Sequence, residues 1–204
     1  MFGAYLTFTA LLVVTPGSTT AVVVRNTLIG GPAAGLAAAL GAAMANATHA
    51  TAAGLGLALL FARWPPALAT VRIAGGLYLM WLGINSLYRA AVHADGGLRL
   101  TATDDRSTAD QRSAFRQGLF VNLLNPPIVT FYLVVVPTFI PAGAPRWYFA
   151  VLAVTHVAMA LACHSTWAIG FHTLRRLFEA PSRRRWLEGA TGVALLALAL
   201  RVMI

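Results

Sequence analysis

The stretch "LLVVTPGSTTAVVV", Leu11–Val24, sets a Pro-Gly pair inside an apolar run long enough to cross a membrane. Proline removes a backbone donor and glycine loosens a helix, so the pair interrupts the segment. In lipid, an interrupted helix leaves polar backbone groups without water. It persists only where protein or a wet cavity covers it. Either the stretch is not a membrane helix, or it marks the place where the protein works.

Composition decides for the membrane. Of 204 residues, 58% are hydrophobic and 10% charged, and the mean hydropathy is +0.72. Soluble domains carry about a quarter charged residues. All 15 basic residues are arginine. They punctuate apolar runs instead of forming one basic face, which excludes nucleic acid as a partner and points to orientation in a lipid bilayer. The single cysteine, Cys163, allows no internal disulfide and no CxxC pair. "MFGAYLTFTA" lacks a basic n-region, so no cleaved signal peptide is expected.

A span takes about 20 apolar residues. Six are read: 2–24, 33–62, 66–88, 115–140, 146–172 and 186–204. Short Gly- and Pro-rich links join most of them. Residues 90–114 are polar, carry both signs of charge, and are expected to form a cytoplasmic linker loop between a first three-helix unit, 1–89, and a second, 115–204. With six spans, eleven arginines fall on the side of links 1, 3 and 5 and four on the other. The arginine-rich side is then cytoplasmic and both termini lie outside. Trp64, Trp147, Tyr148, Tyr88 and Trp186 fall at span ends, as interfacial anchors do.

"VNLLNPPIVTFYLVVVPTFI" repeats the interruption: Asn125-Pro126-Pro127 breaks span 4 as Thr15-Pro16-Gly17 breaks span 1. Pro16 lies roughly 21 Å, and Pro126 roughly 17 Å, along its own span. The two spans enter from opposite sides. Paired interrupted helices in corresponding places are the best sequence pointer to a transporter's binding site. The fold expected is all-α and integral to the membrane, six helices as two inverted three-helix repeats with broken first and fourth helices. The offset of 110 between the prolines also carries Asn46 onto His156. Ser18, Thr19 or Thr20 are expected to cap one half-helix and Asn125 the other, with Pro126 at a first helical position. Two half-helix N-termini then offer unpaired N–H groups to an anion such as a carboxylate. The substrate-binding candidates are Thr15, Pro16, Gly17, Ser18, Thr19, Asn46, Asn122, Asn125 and Pro126.

"TPGSTTAVVVRNTLIGGPAAGLAAALG", "GGLYLMWLG" and "FRQGLFVNLLNPPIVTFYLVVVPTFI" together resemble the LysE/RhtB family of amino-acid exporters, over nearly the whole chain outside 90–114. The resemblance implies six helices, a 3+3 repeat, a homodimer in the inner membrane, and export of amino acids or close analogues driven by an ion gradient. Three positions depart from the family pattern. Ser18 stands where the family commonly has proline, Pro127 where it has lysine, and Asn46 near an aspartate of some branches. Lysine, arginine, threonine or leucine specificity is therefore not carried over.

Glu188, at the inner end of span 6, is the only carboxylate within these spans. Coupling to protons, the expected ion, then falls to His49, His156 or His164, which share the alternative of joining helices by hydrogen bonds. His172 sits at a span end, and Arg25 reads equally as a substrate contact or a topology anchor. Enzyme chemistry lacks clustered acids or nucleophiles in the spans, and no cofactor or metal is expected. A transition-metal exporter of the same superfamily is the strongest competing reading, since imidazoles bind such ions. A non-transporting, His-ligated haem protein is the other.

Overall fold

The computed structural model describes residues 1–55, 66–92, 104–145, 147–174 and 181–203, and these form helices and short turns. In chain order they are α1 (Phe2–Val14), α2 (Ser18–Gly30), α3 (Pro32–Gly54), α4 (Pro66–Val92), α5 (Asp104–Leu123), α6 (Pro126–Thr130), a π-helical turn (Phe131–Val135), α7 (Val136–Thr138), α8 (Trp147–Leu174) and α9 (Pro181–Met203).

Both expected breaks are present and have one cause. Thr15 and Asn125 each precede a proline, which drives the residue before it out of the helical region. Both adopt extended backbone. The chain bends by 51° between α1 and α2 and by 57° between α5 and the helix that runs on from Pro126. Among the described residues, Trp147–Leu174 alone suffices by length and composition to cross a membrane, and each bent pair does so taken as one span. The remaining expected spans correspond to α3, α4 and α9, of 23, 27 and 23 residues. At 1.5 Å per residue even 23 residues reach roughly 35 Å. Many large apolar side chains lie on the outside, among them Leu11, Trp81, Val154, Ile169 and Leu200. Such a surface suits lipid.

The polar segment expected as a loop is corrected in part. Residues 104–114 belong to α5, which begins at Asp104. Polarity suggested a loop, but no glycine or proline occurs from 104 to 117 to stop the helix of span 4 from extending back. Residues 93–103 lie outside the described residues, as do 56–65, the end of the expected second span, with Trp64.

Small residues set the packing. α3 crosses α5 where Gly41 meets the Phe115 carbonyl and Gly118 meets the Ala38 carbonyl. A Cβ at either position would overlap the opposing backbone, so the two helices touch main chain to main chain. Gly31, at φ 87°, makes the tight turn from α2 into α3 that other residues rarely adopt. Elsewhere the contacts are aromatic. Tyr5, Phe131, Tyr132 and Leu152 are buried together, and Tyr5 Oη donates to the Leu152 carbonyl at 2.6 Å, tying α1 to α8.

A candidate substrate site at the helix breaks

The two breaks face one cavity of about 620 Å³, within the usual range of about 300–1,000 Å³ for small-molecule sites. The first break contributes Thr15, Pro16, Gly17, Ser18 and Thr19; α3 contributes Asn46; the second break contributes Asn122, Asn125 and Pro126. All nine residues singled out in the sequence thus border the same space. Phe8 and Leu12 of α1 and Leu198 and Val202 of α9 extend its lining toward the start of α1 and the end of α9. No arginine or carboxylate of the described residues lines it.

The capping expectation is corrected. Gly17, not a hydroxyl residue, occupies the N-cap of α2, and no side chain caps that helix. The first bond of α2 runs from Ala21 N–H to the Gly17 carbonyl. The amides of Ser18, Thr19 and Thr20, ahead of it, are the orphan donors of a helix start. Asn125 does take the N-cap of α6, yet it makes no side-chain cap either. Pro126 and Pro127 carry no N–H, and those of Ile128 and Val129 go to the Asn125 carbonyl. The two breaks are therefore unequal: free amide donors gather at the first. That break also ends α1, whose last carbonyls have no helical successor. Cys163 Sγ donates weakly to one of them, that of Val13, at 3.6 Å.

An amide hub lies against the cavity. Asn122 Nδ2 donates to the Ala42 carbonyl at 2.9 Å and to Asn46 Oδ1 at 2.7 Å. Its Oδ1 accepts from Thr19 Oγ1 at 3.0 Å. One buried side chain of α5 thereby fixes both α2 and α3.

The three histidines separate. His156 and His164, both on α8, are buried and line the cavity. His49 does not line it; its Nε2 lies 3.4 Å from the Asn122 carbonyl. His156 Nδ1 shares a 2.7 Å hydrogen bond with Tyr132 Oη, and the Phe131 ring stands 4.4 Å from its own. Phe131 and Tyr132 open the π-helical turn. π turns are rare and concentrate at functional sites. Tyr132 went unnoticed in the sequence, where its one signal was a phenol that needs a partner in the middle of a span. Glu188 was set aside at a span end and Arg25 left between two readings. The structure joins them in a buried ion pair away from the cavity.

The comparisons with known proteins give the family. A family profile described as LysE type translocator matches residues 10–204. The chain belongs to that family. It is 32% identical over 139 residues to the uncharacterized membrane protein YrhP of Bacillus subtilis, covering 67% of this chain and 66% of that protein. It is 28% identical over 190 residues to a homoserine/homoserine lactone efflux protein of Salmonella typhimurium, covering 93% and 89%. A leucine efflux protein of Klebsiella pneumoniae is 29% identical over 153 residues, covering 74% and 69%. No solved structure matches. This LysE-family translocator is thus a membrane transport protein whose relatives include amino-acid efflux proteins.

Proposed function

We propose that the protein exports neutral amino acids, or close zwitterionic analogues, across the cytoplasmic membrane. One observation carries the reading: the first break places the uncapped start of α2 and the open end of α1 side by side on a cavity without charged side chains. The partial positive charge at the α2 end suits a carboxylate, and the carbonyls closing α1 suit an ammonium. A charge-assisted hydrogen bond contributes about 1.5–3 kcal/mol, so two or three amides hold a carboxylate without any arginine. A second cationic group would find no acid in the lining, which disfavours lysine and arginine as cargo. The relatives' names include two neutral amino acids, homoserine and leucine, and also homoserine lactone, which has no free carboxylate.

The rest of the reading follows the sequence. The arginine asymmetry supports a cytoplasmic side for the polar segment 90–114 and external termini, and the matched pre-proline breaks support two inverted halves. Export against inward protons requires proton and substrate to compete. His156 and His164, on the cavity, are suited to that role by place; His49, outside it, is read as structural. The metal-export reading has no geometric support, since among the described residues no three His, Cys, Asp or Glu side chains come together. The test is efflux from reconstituted vesicles loaded with leucine, homoserine, lysine, glutamate or a divalent metal ion. Efflux of leucine and homoserine well above lysine and glutamate is expected. Efflux of lysine or of metal alone would overturn the reading.

A further inference from the structure

α4 and α9 pack along each other as a pair, and α2 is the main element facing that pair across the seam. Val22 of α2, Leu79 of α4, Val121 of α5 and Leu195 and Ala199 of α9 fill the seam with apolar side chains. Beyond this plug, on the side away from the cavity, Arg25 Nη2 reaches Glu188 Oε2 at 3.1 Å and Oε1 at 3.3 Å. The arginine and glutamate side chains are 8% and 6% exposed. Arg25 lies five residues past Thr20 and Glu188 ten before Leu198, roughly 8 Å and 15 Å along their helices from the cavity lining. Ser86 Oγ of α4 donates to Glu188 Oε2 at 2.6 Å and also lies 3.0 Å from the Glu188 carbonyl. Glu188 is thus held to the α4–α9 pair, and Arg25 is the partner from across the seam.

We propose that Arg25, Glu188 and Ser86 form the gate that closes the transport path on the face opposite the cavity mouth. This rests on the proposed function, which requires a path through the bundle, and names the contact that must part when that face opens. The cavity lining ends at Thr20 on α2 and Leu198 on α9, and along those helices the apolar cluster and then the ion pair follow. In such a state the closing contact belongs where two separately packed groups of helices meet, and the pair bridges that seam. A buried ion pair is a poor source of stability compared with apolar packing, but removing one partner loses the attraction across the seam and disfavours the closed arrangement. Two opposite charges therefore make a contact that is shut or open with little in between. Arg25 and Glu188 are positioning residues here; neither lines the cavity.

The test reads closure without any substrate. Cys163→Ser removes the native thiol, and Val22→Cys places a reporter in the plug. Labelling by a membrane-impermeant maleimide is timed from each face in oriented vesicles. Glu188→Gln is expected to raise labelling from the Arg25 face by about tenfold or more, because it removes the charge that meets Arg25 across the seam. Ser86→Ala should raise it less, in the same direction and on the same face. Arg25→Gln combined with Glu188→Gln, which removes both charges, should return the rate toward the parent's. Unchanged labelling in both Glu188→Gln and Ser86→Ala, or an equal rise from both faces, would overturn the proposal. If Glu188→Gln fails to fold, Ser86→Ala decides alone. Absence of amino-acid transport would overturn the proposed function and leave this result standing.

Discussion

Asn122→Ala is the perturbation whose size follows most directly from the structure. The side chain makes three hydrogen bonds, to the Ala42 carbonyl, Asn46 Oδ1 and Thr19 Oγ1, and is 2% exposed. In membrane proteins such a bond contributes about 0.6 kcal/mol on average, and in soluble ones about 1 kcal/mol. Three bonds give roughly 2–3 kcal/mol. That is a fall of roughly 30- to 150-fold in the folded-to-unfolded ratio. Equilibrium unfolding in mixed micelles measures it. Paired with Asn46→Ala in a double-mutant cycle, the variant should show a coupling of at least about 0.5 kcal/mol, because the two amides bond each other. Since Thr19 borders the cavity, transport should fall as well. A loss below about 0.5 kcal/mol with transport intact would refute the hub.

Three further outcomes are expected. Pro16→Leu with Gly17→Leu restores a continuous helix, pairs the amides that start α2, and should abolish transport while the protein still inserts, as fractionation and efflux would show. His156→Ala should remove the response of efflux to an imposed pH difference, with Tyr132→Phe moving the same way through their 2.7 Å bond, whereas His49→Ala should respond like the parent. Gly118→Ala drives a methyl into the Ala38 carbonyl and should cost about 1–3 kcal/mol of stability, while Gly170→Ala, with nothing within 4 Å, should be tolerated in the same unfolding assay.

The breaks were legible because a proline inside an apolar run acts locally: it bends the chain at Thr15 and Asn125 whatever packs around it. The residues that share the cavity followed, since matched breaks in one bundle face each other. The caps were not legible. Extended backbone at Thr15 and Gly17 moved the N-cap forward and put Ser18, Thr19 and Thr20 inside the helix. At the second break, the two prolines carry no N–H and the Asn125 backbone carbonyl takes the amides of Ile128 and Val129, so its side chain caps nothing. The start of α5 was misread because charge was taken for disorder where no helix breaker stood. Tyr132 with His156, and Arg25 with Glu188, were out of reach for a different reason. Each pairing depends on a π turn or a helix crossing between positions 24 and 163 residues apart, and nothing local to either residue announces its partner.

The most direct measurement is efflux of leucine, leucinamide and N-acetyl-leucine from the same reconstituted vesicles. The break in span 1 is argued to hold both ends of a zwitterion: the carboxylate on the amides of Ser18, Thr19 and Thr20, the ammonium on the carbonyls that end α1. Blocking either end removes at least one charge-assisted contact of about 1.5–3 kcal/mol. Both analogues are therefore expected to move at least about tenfold more slowly than leucine. Leucinamide and N-acetyl-leucine leaving as fast as leucine would mean that the first break binds neither charge.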